Sequence, residues 1–113
     1  MSKLRLTLLS IMESIEKIEI YTADFADGEE FYYAQLNFDA TMMQFVVIGE
    51  MITKLDEDFK NKNSHIPWQN IKDFRNIIAH DYFGIDSDEI WEIVQKHISV
   101  LKKDIQKILK ETI

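Results

Sequence analysis

Three side chains close together in the sequence could carry out chemistry: Arg75, His80 and Tyr82, in the run Phe74-Arg75-Asn76-Ile77-Ile78-Ala79-His80-Asp81-Tyr82. A guanidinium is a permanent cation whose planar fork of N–H donors fits the oxygens of a phosphate or a carboxylate. An imidazole takes or gives a proton near neutral pH, and a phenol ends in a hydroxyl. A cation that holds charge and a group that moves a proton suit attack at a phosphate. Each residue also has a plainer use. Arg75 with Asp73 nearby would make an ordinary surface ion pair, His80 near a helix C-terminus would sit favourably against the dipole, and Tyr82 would be a half-buried core ring.

Spacing constrains how these groups can cooperate. Residues five apart on an ideal helix lie about 140° apart in azimuth and about 7.5 Å apart along the axis, so Arg75 and His80 do not face each other. For both to reach one phosphate, the helix must distort after Ala79 or two copies of the chain must contribute. Arg75 and Tyr82, seven apart, fall on nearly the same side of an ideal helix. Asn76 precedes His80 by four residues, where it could fix the imidazole. Glu50 has apolar neighbours and reads either as the exposed edge of a stripe or as an acid reaching towards Arg75; Asp81, beside His80, is a further candidate support. A homodimer about a two-fold axis would set two copies of the run face to face in one cleft. His65, in a polar connector, and His97, near the edge of the last helix, read as incidental. Three scattered histidines and no cysteine offer no zinc site, and neither a metal nor a cofactor is expected.

The elements that must position the run follow from apolar periodicity. Leu4, Leu8, Ile11, Ile15, Ile18, Tyr21 and Phe25 recur at spacings of three and four, which predicts a helix over about Ser2 to Asp24. Asp27-Gly28 punctuates the chain, and Glu29 to Leu36 is a short helix or the first turns of a longer one. From Asn37 as N-cap, the stripe Ala40, Met43, Val47, Met51, Leu55, joined by Ile48 and Ile52, predicts a central second helix to about Phe59. Gly49 inside it costs about 1 kcal/mol against alanine, so another helix is expected to approach closely there. Asp56 to Ser64 reads as a polar, mobile connector. Pro67 suits the first turn of a third helix with Trp68, Ile71, Phe74, Ile78 and Tyr82 on one face, ending near Gly84 as C′ residue. Asp86 with Glu89 three residues on opens a last helix striped by Ile90, Val94, Ile98, Leu101, Ile105 and Ile108. The expected fold is a single all-α domain over residues 1–113, an up-and-down antiparallel bundle of four long helices with room for one short extra helix.

Composition fits that reading. With 46% apolar residues, 12% aromatics, three glycines and one proline, the chain describes a folded helical domain rather than a disordered one. Leu4 to Met12 is broken by Arg5, Thr7 and Ser10, so no signal peptide is expected, and no stretch approaches the roughly 18 uncharged residues of a membrane span. A cytoplasmic protein without membrane contact is the expectation. The net charge of −7 argues against non-specific binding to nucleic acid. It is unevenly spread, however: residues 60–80 carry four basic side chains against one acid, while residues 1–59 carry four against twelve. The reactive run therefore lies in a locally basic block, where a small anionic target is possible.

The run Arg75, four residues, His80, one residue, Tyr82 resembles the signature of the HEPN superfamily, in particular its HepT-like toxins. The resemblance extends along the chain through Ile48-Gly49-Glu50, Ile66-Pro67-Trp68, Arg75-Asn76, His80-Asp81-Tyr82-Phe83 and Trp91, in the order that family shows. It implies a metal-independent RNA endonuclease working as a homodimer, with Arg75 and His80 as the catalytic pair and Asn76 supporting them. It further implies a minimal nucleotidyltransferase antitoxin as partner, which transfers AMP to Tyr82. The residue types suit cleavage in which the RNA 2′-hydroxyl attacks its own phosphate, leaving a 2′,3′-cyclic phosphate and a 5′-hydroxyl. Two other readings compete: a non-catalytic helical module that binds a nucleotide or a nucleotidyltransferase, and a helical interaction protein in which Arg75 and His80 only pair with carboxylates.

Overall fold

In a computed structural model, which describes residues 2–111, the chain is built from helices α1 (Lys3–Thr22), α2 (Gly28–Tyr33), α3 (Gln35–Thr53), α4 (Glu57–Lys62), α5 (Trp68–His80), α6 (Ser87–Glu92) and α7 (Ile98–Glu111). A single 3₁₀ turn, Tyr82–Gly84, follows α5, and a π turn, Ile93–His97, joins α6 to α7 into one long rod. That rod, α1, α3 and α5 are the four long helices of an all-α bundle, with α2 and α4 as short additions. No helix among the described residues is long and apolar enough to cross a membrane.

The first helix forms where its periodicity predicts. Ser2 caps it by accepting a hydrogen bond from the Arg5 backbone N–H at 3.1 Å, and Leu8, Ile11, Ile15 and Ile18 are wholly buried. Burying each such side chain is worth about 1.5–3 kcal/mol. The last rod is held by Ile90, Ile98, Leu101, Ile105 and Ile108. Asp86 opens it as expected, accepting from the N–H groups of Asp88 and Glu89. Lys102 of α7 reaches Glu19 of α1 at 2.8 Å, and Arg5 donates to the Leu109 carbonyl, so two polar contacts bind the outer pair.

The central helix departs from its sequence reading in three ways. It starts at Gln35 after Ala34 rather than at Asn37, whose side-chain amide instead donates to the Tyr21 carbonyl at 2.9 Å and ties α3 to the end of α1. Its buried face is Phe38, Thr41, Met42, Phe45, Ile48, Gly49 and Ile52; of the stripe read from the sequence Ile48, Ile52 and Leu55 are buried, whereas Met43 is 59% exposed. A helix apolar around its girth has no unique stripe, which is why periodicity alone sets Met43 on the wrong side. Lastly, α3 stops at Thr53, and the polar segment after Leu55 is not an irregular connector but holds α4, with the Phe59 ring against Trp68 at 6.0 Å. Glu29 to Leu36 resolves into α2 and the start of α3.

Gly49 is where α5 meets α3. A Cβ there would stand 2.5 Å from Arg75 Cβ and 2.6 Å from its Cγ, atoms tied closely to the α5 backbone. Gly49→Ala therefore pushes the helices apart. Overpacking costs about 1–3 kcal/mol against the roughly 1 kcal/mol gained in helix propensity, and the nearness of the α5 backbone puts the net loss towards the upper end of about 0–2 kcal/mol. Urea unfolding checks this: the midpoint falls at unchanged slope, and an equal or higher midpoint contradicts the packing.

Candidate active site

Arg75 leaves α5 over Gly49 with its stem packed on α3, and its guanidinium turns to Glu50 on that helix. Nη2 pairs with the Glu50 carboxylate and Nη1 donates to Asn76 Oδ1 at 3.0 Å. Nε is buried without a hydrogen-bond partner. The side chains of Arg75 and Glu50 are 30% and 45% exposed, so the pair adds only about 0–1 kcal/mol of stability. Its main effect is orientation: the fork is held at the edge of the bundle, partly open to solvent. Of the two readings of Glu50, the structure has the acid reaching Arg75. Asn76, expected to fix the imidazole, bonds the guanidinium instead.

His80 is the last residue of α5 and is exposed. Among the described residues, no hydrogen bond or ion pair holds its ring. The helix does not run on to Gly84 as its apolar face suggested: Asp81 adopts φ −146°, leaves the helix, and its N–H closes the last turn on the Ile77 carbonyl at 2.8 Å. Gly84 is not a left-handed C′ residue, since no glycine has positive φ. It is small because the Asp81 carboxylate folds over it. Asp81 thus shapes the turn beyond His80.

Tyr82 begins that turn and points back to α3, where its hydroxyl donates to the Asp39 carboxylate. The ring is half-buried, edge-on to Phe38 at 6.1 Å. Burial, then the hydrogen bond to Asp39 and the charge of that carboxylate, push the phenol's pKa well above its ordinary value. Folding thus favours the neutral phenol, so its stabilising contribution is complete below pH about 10 and is lost as pH rises above it. Asp39→Asn is expected to lower the pH at which Tyr82 ionises, read as tyrosinate absorbance against the wild type. An unchanged titration would show that the carboxylate does not act on the phenol.

Asp39 went unnoticed in the sequence, yet the signal was there. Asp39 and Glu50 are eleven residues apart, which on an ideal helix is about three turns and about 20°. They lie on one face of α3, with Met43 between them, and from it they hold Tyr82 and Arg75 respectively. The structure therefore brings Arg75, Asn76 and Glu50 together at one point and Tyr82 and Asp39 at another along the same rail, with His80 free at the end of α5. His65 lies 3.9 Å from Asp104 and His97 lines an apolar groove between α5 and α7, floored by Phe45 and Ile48. That groove, about 320 Å³, takes in neither Arg75 nor His80.

Comparison with known proteins bears on the chain as a whole. A family model described as ribonuclease HepT-like matches residues 11–108. A protein of Methanocaldococcus jannaschii named "gamma-glutamylcyclotransferase and putative RNase" is 39% identical over 107 residues, 95% of this chain but only 48% of that protein. The chain thus spans about half the length of that relative. A second M. jannaschii protein, named "putative RNase", is 32% identical over 88% of this chain and 90% of its own length. A protein of Thermococcus cleftensis named "probable ribonuclease HepT" is 32% identical over 91% of this chain and 93% of its own. No solved structure matches.

Proposed function

The chain belongs to the HepT-like ribonuclease family, and on that footing we propose that it is a metal-independent RNA endonuclease in which Arg75 and His80 act on one phosphate. The observation that carries the reading is the contrast between the two groups. Arg75 is braced by Glu50 and Asn76, with its fork at an open edge, while His80 stands exposed at a helix end with no hydrogen bond or ion pair to its ring among the described residues. A braced cation suits charge stabilisation, and an unencumbered imidazole suits proton transfer. In the reaction, His80 takes the proton of the 2′-hydroxyl, the 2′-oxygen bonds to phosphorus, and the bond from phosphorus to the 5′-oxygen breaks. The departing oxygen takes a proton from a second imidazole or from water.

The two groups diverge on one helix, so the site is proposed to be completed across a homodimer. There the exposed His80 of one copy approaches the guanidinium edge of the other. The partner is a nucleotidyltransferase antitoxin that adds AMP to Tyr82. Asp39 supports that role, because it is placed to accept the phenolic proton as the oxygen attacks the α-phosphate and pyrophosphate leaves. The added phosphate and base would obstruct the cleft.

Incubation with RNA and with DNA of the same sequence, in EDTA, tests the reading. RNA cut to 2′,3′-cyclic phosphate and 5′-hydroxyl ends, with DNA intact, is the expected result; RNA left whole by the unmodified dimer overturns it. One observation favours the alternative of a non-catalytic nucleotide- or nucleotidyltransferase-binding module: Glu50 already occupies part of the Arg75 fork. That alternative predicts AMP addition to Tyr82 without any RNA cleavage.

A further inference from the structure

Beside the site stands a row of aromatic rings whose exposed ends, Phe83 and Tyr33, neither the core nor the proposed reaction uses. Phe83 is 99% exposed, in a chain whose other large rings are mostly covered. It is not exposed for want of structure. The turn that carries it is closed by the Gly84 N–H on the Asp81 carbonyl at 3.0 Å and by the Asp81 side chain folded over Gly84. Phe83 meets Tyr82 edge-on at 5.8 Å, Tyr82 meets buried Phe38 at 6.1 Å, Phe38 meets Tyr32 at 5.3 Å, and Tyr32 meets Tyr33 at 5.4 Å. The middle of this row is anchored in the core, whereas its two ends, Phe83 and the 75%-exposed Tyr33, face solvent.

From this juxtaposition we propose that the row is a stacking platform for unpaired bases of the RNA substrate, with Phe83 taking a base next to the phosphate that His80 attends. The inference rests on the ribonuclease reading and adds to it a base-contacting residue, Phe83, outside the Arg75 and His80 pair. Three observations favour a base as the occupant. The row adjoins His80, since Phe83 follows it by three residues across the turn. Its inner rings are held by packing and the backbone that carries Phe83 is held by the closed turn, so little of the platform must be ordered on binding. Its charged neighbours are acids, Asp39 and Asp81, and the chain as a whole carries −7, so neutralising phosphate is not what would hold a strand on it. An acidic protein gains little from neutralising a polyanion, whereas every base has a neutral π face to offer a ring. Stacking needs the base to be out of a duplex, which makes strand state the determinant.

A 5′-fluorescein-labelled 2′-O-methyl oligoadenylate of twelve nucleotides cannot be cut through a 2′-hydroxyl, so it reports binding apart from catalysis. Its affinity is measured by anisotropy for the wild-type chain and for Phe83→Ala, Phe83→Leu and Phe83→Trp, with the same strand in duplex as competitor. Removal of one stacking ring is expected to weaken binding by roughly tenfold or more in Ala and Leu alike, while Trp retains it. The duplex should compete poorly, and the dependence on salt should be shallow and the same in all four proteins. Equal affinities across the variants overturn the proposal. So does failure of the wild type to bind the strand, or a loss in Phe83→Ala that coincides with dissociation of the dimer in sedimentation, which would make the row an interface between copies. Cleavage of ordinary RNA in EDTA, run in parallel, reports on the nuclease reading independently of either result.

Discussion

His80→Ala is expected to fold as the wild type does and to cut RNA at least about a hundredfold more slowly. General acid–base catalysis by a placed side chain is worth roughly 10²- to 10⁴-fold, and the structural use of His80 is limited to its place against the dipole at the end of α5. It is exposed, it is the final residue of α5, and no recorded bond within the described residues depends on its ring. The backbone turn beyond it is closed by the Asp81 N–H, which an alanine at position 80 leaves in place. Single-turnover cleavage read beside a urea melt separates the two effects. A variant that retains its melt and loses its rate fits the assignment. A variant that cuts within about threefold of the wild type, well below the range for a lost general base, removes His80 from the chemistry.

Arg75→Lys is expected to lose about 10²- to 10³-fold in rate, the range seen when one donor to developing charge is removed. The substitution keeps the charge and keeps a stem to pass over Gly49, so the Glu50 pair can survive in part. It loses the planar fork, and an ammonium cannot hold Glu50, Asn76 and a phosphate oxygen in one plane as a guanidinium can. The loss should therefore fall on the cleavage rate more than on RNA affinity, since affinity follows charge and rate follows geometry. A lysine variant with the wild-type rate would leave Arg75 as a structural cation paired with Glu50.

Much of the fold was legible because it rests on patterns that survive in any context. The stripe Leu8, Ile11, Ile15, Ile18 has one apolar face and one polar face, and its burial follows. The Asp86 cap with its nearby carboxylates marked a helix start that the structure has in the same place. Gly49 also announced itself, because a glycine in a long helix asks for a neighbour at close range, and Arg75 is that neighbour. Where the reading failed, two solutions were of nearly equal merit. An all-round apolar helix left the face of α3 undetermined, so Met43 was placed inside when it lies outside. The polar segment of α4 looks like a loop because its helix is short and is held by Phe59 packing on Trp68 at the start of the next helix. The end of α5 at His80 could not be read either, because Tyr82 continues the apolar period and only the Asp81 backbone departs from it. Within the candidate site the same division holds. The types Arg, Asn, His and Tyr are visible as a run, whereas Asp39 lies on α3, which sequence spacing within α5 cannot report, and Asn76 bonds the guanidinium beside it rather than the imidazole four residues on.

At its centre the account has one phosphate served by the guanidinium of one copy and the imidazole of another. Mixing two inactive proteins tests this most directly. Arg75→Ala and His80→Ala subunits, exchanged in equal amounts, form mixed dimers in which one composite site is wholly mutant and the other wholly intact. With half the dimers mixed, about a quarter of the wild-type cleavage should return by the symmetry of the pair. A mixture as inactive as its two components, with subunit exchange verified by mass, would contradict a site shared in this way.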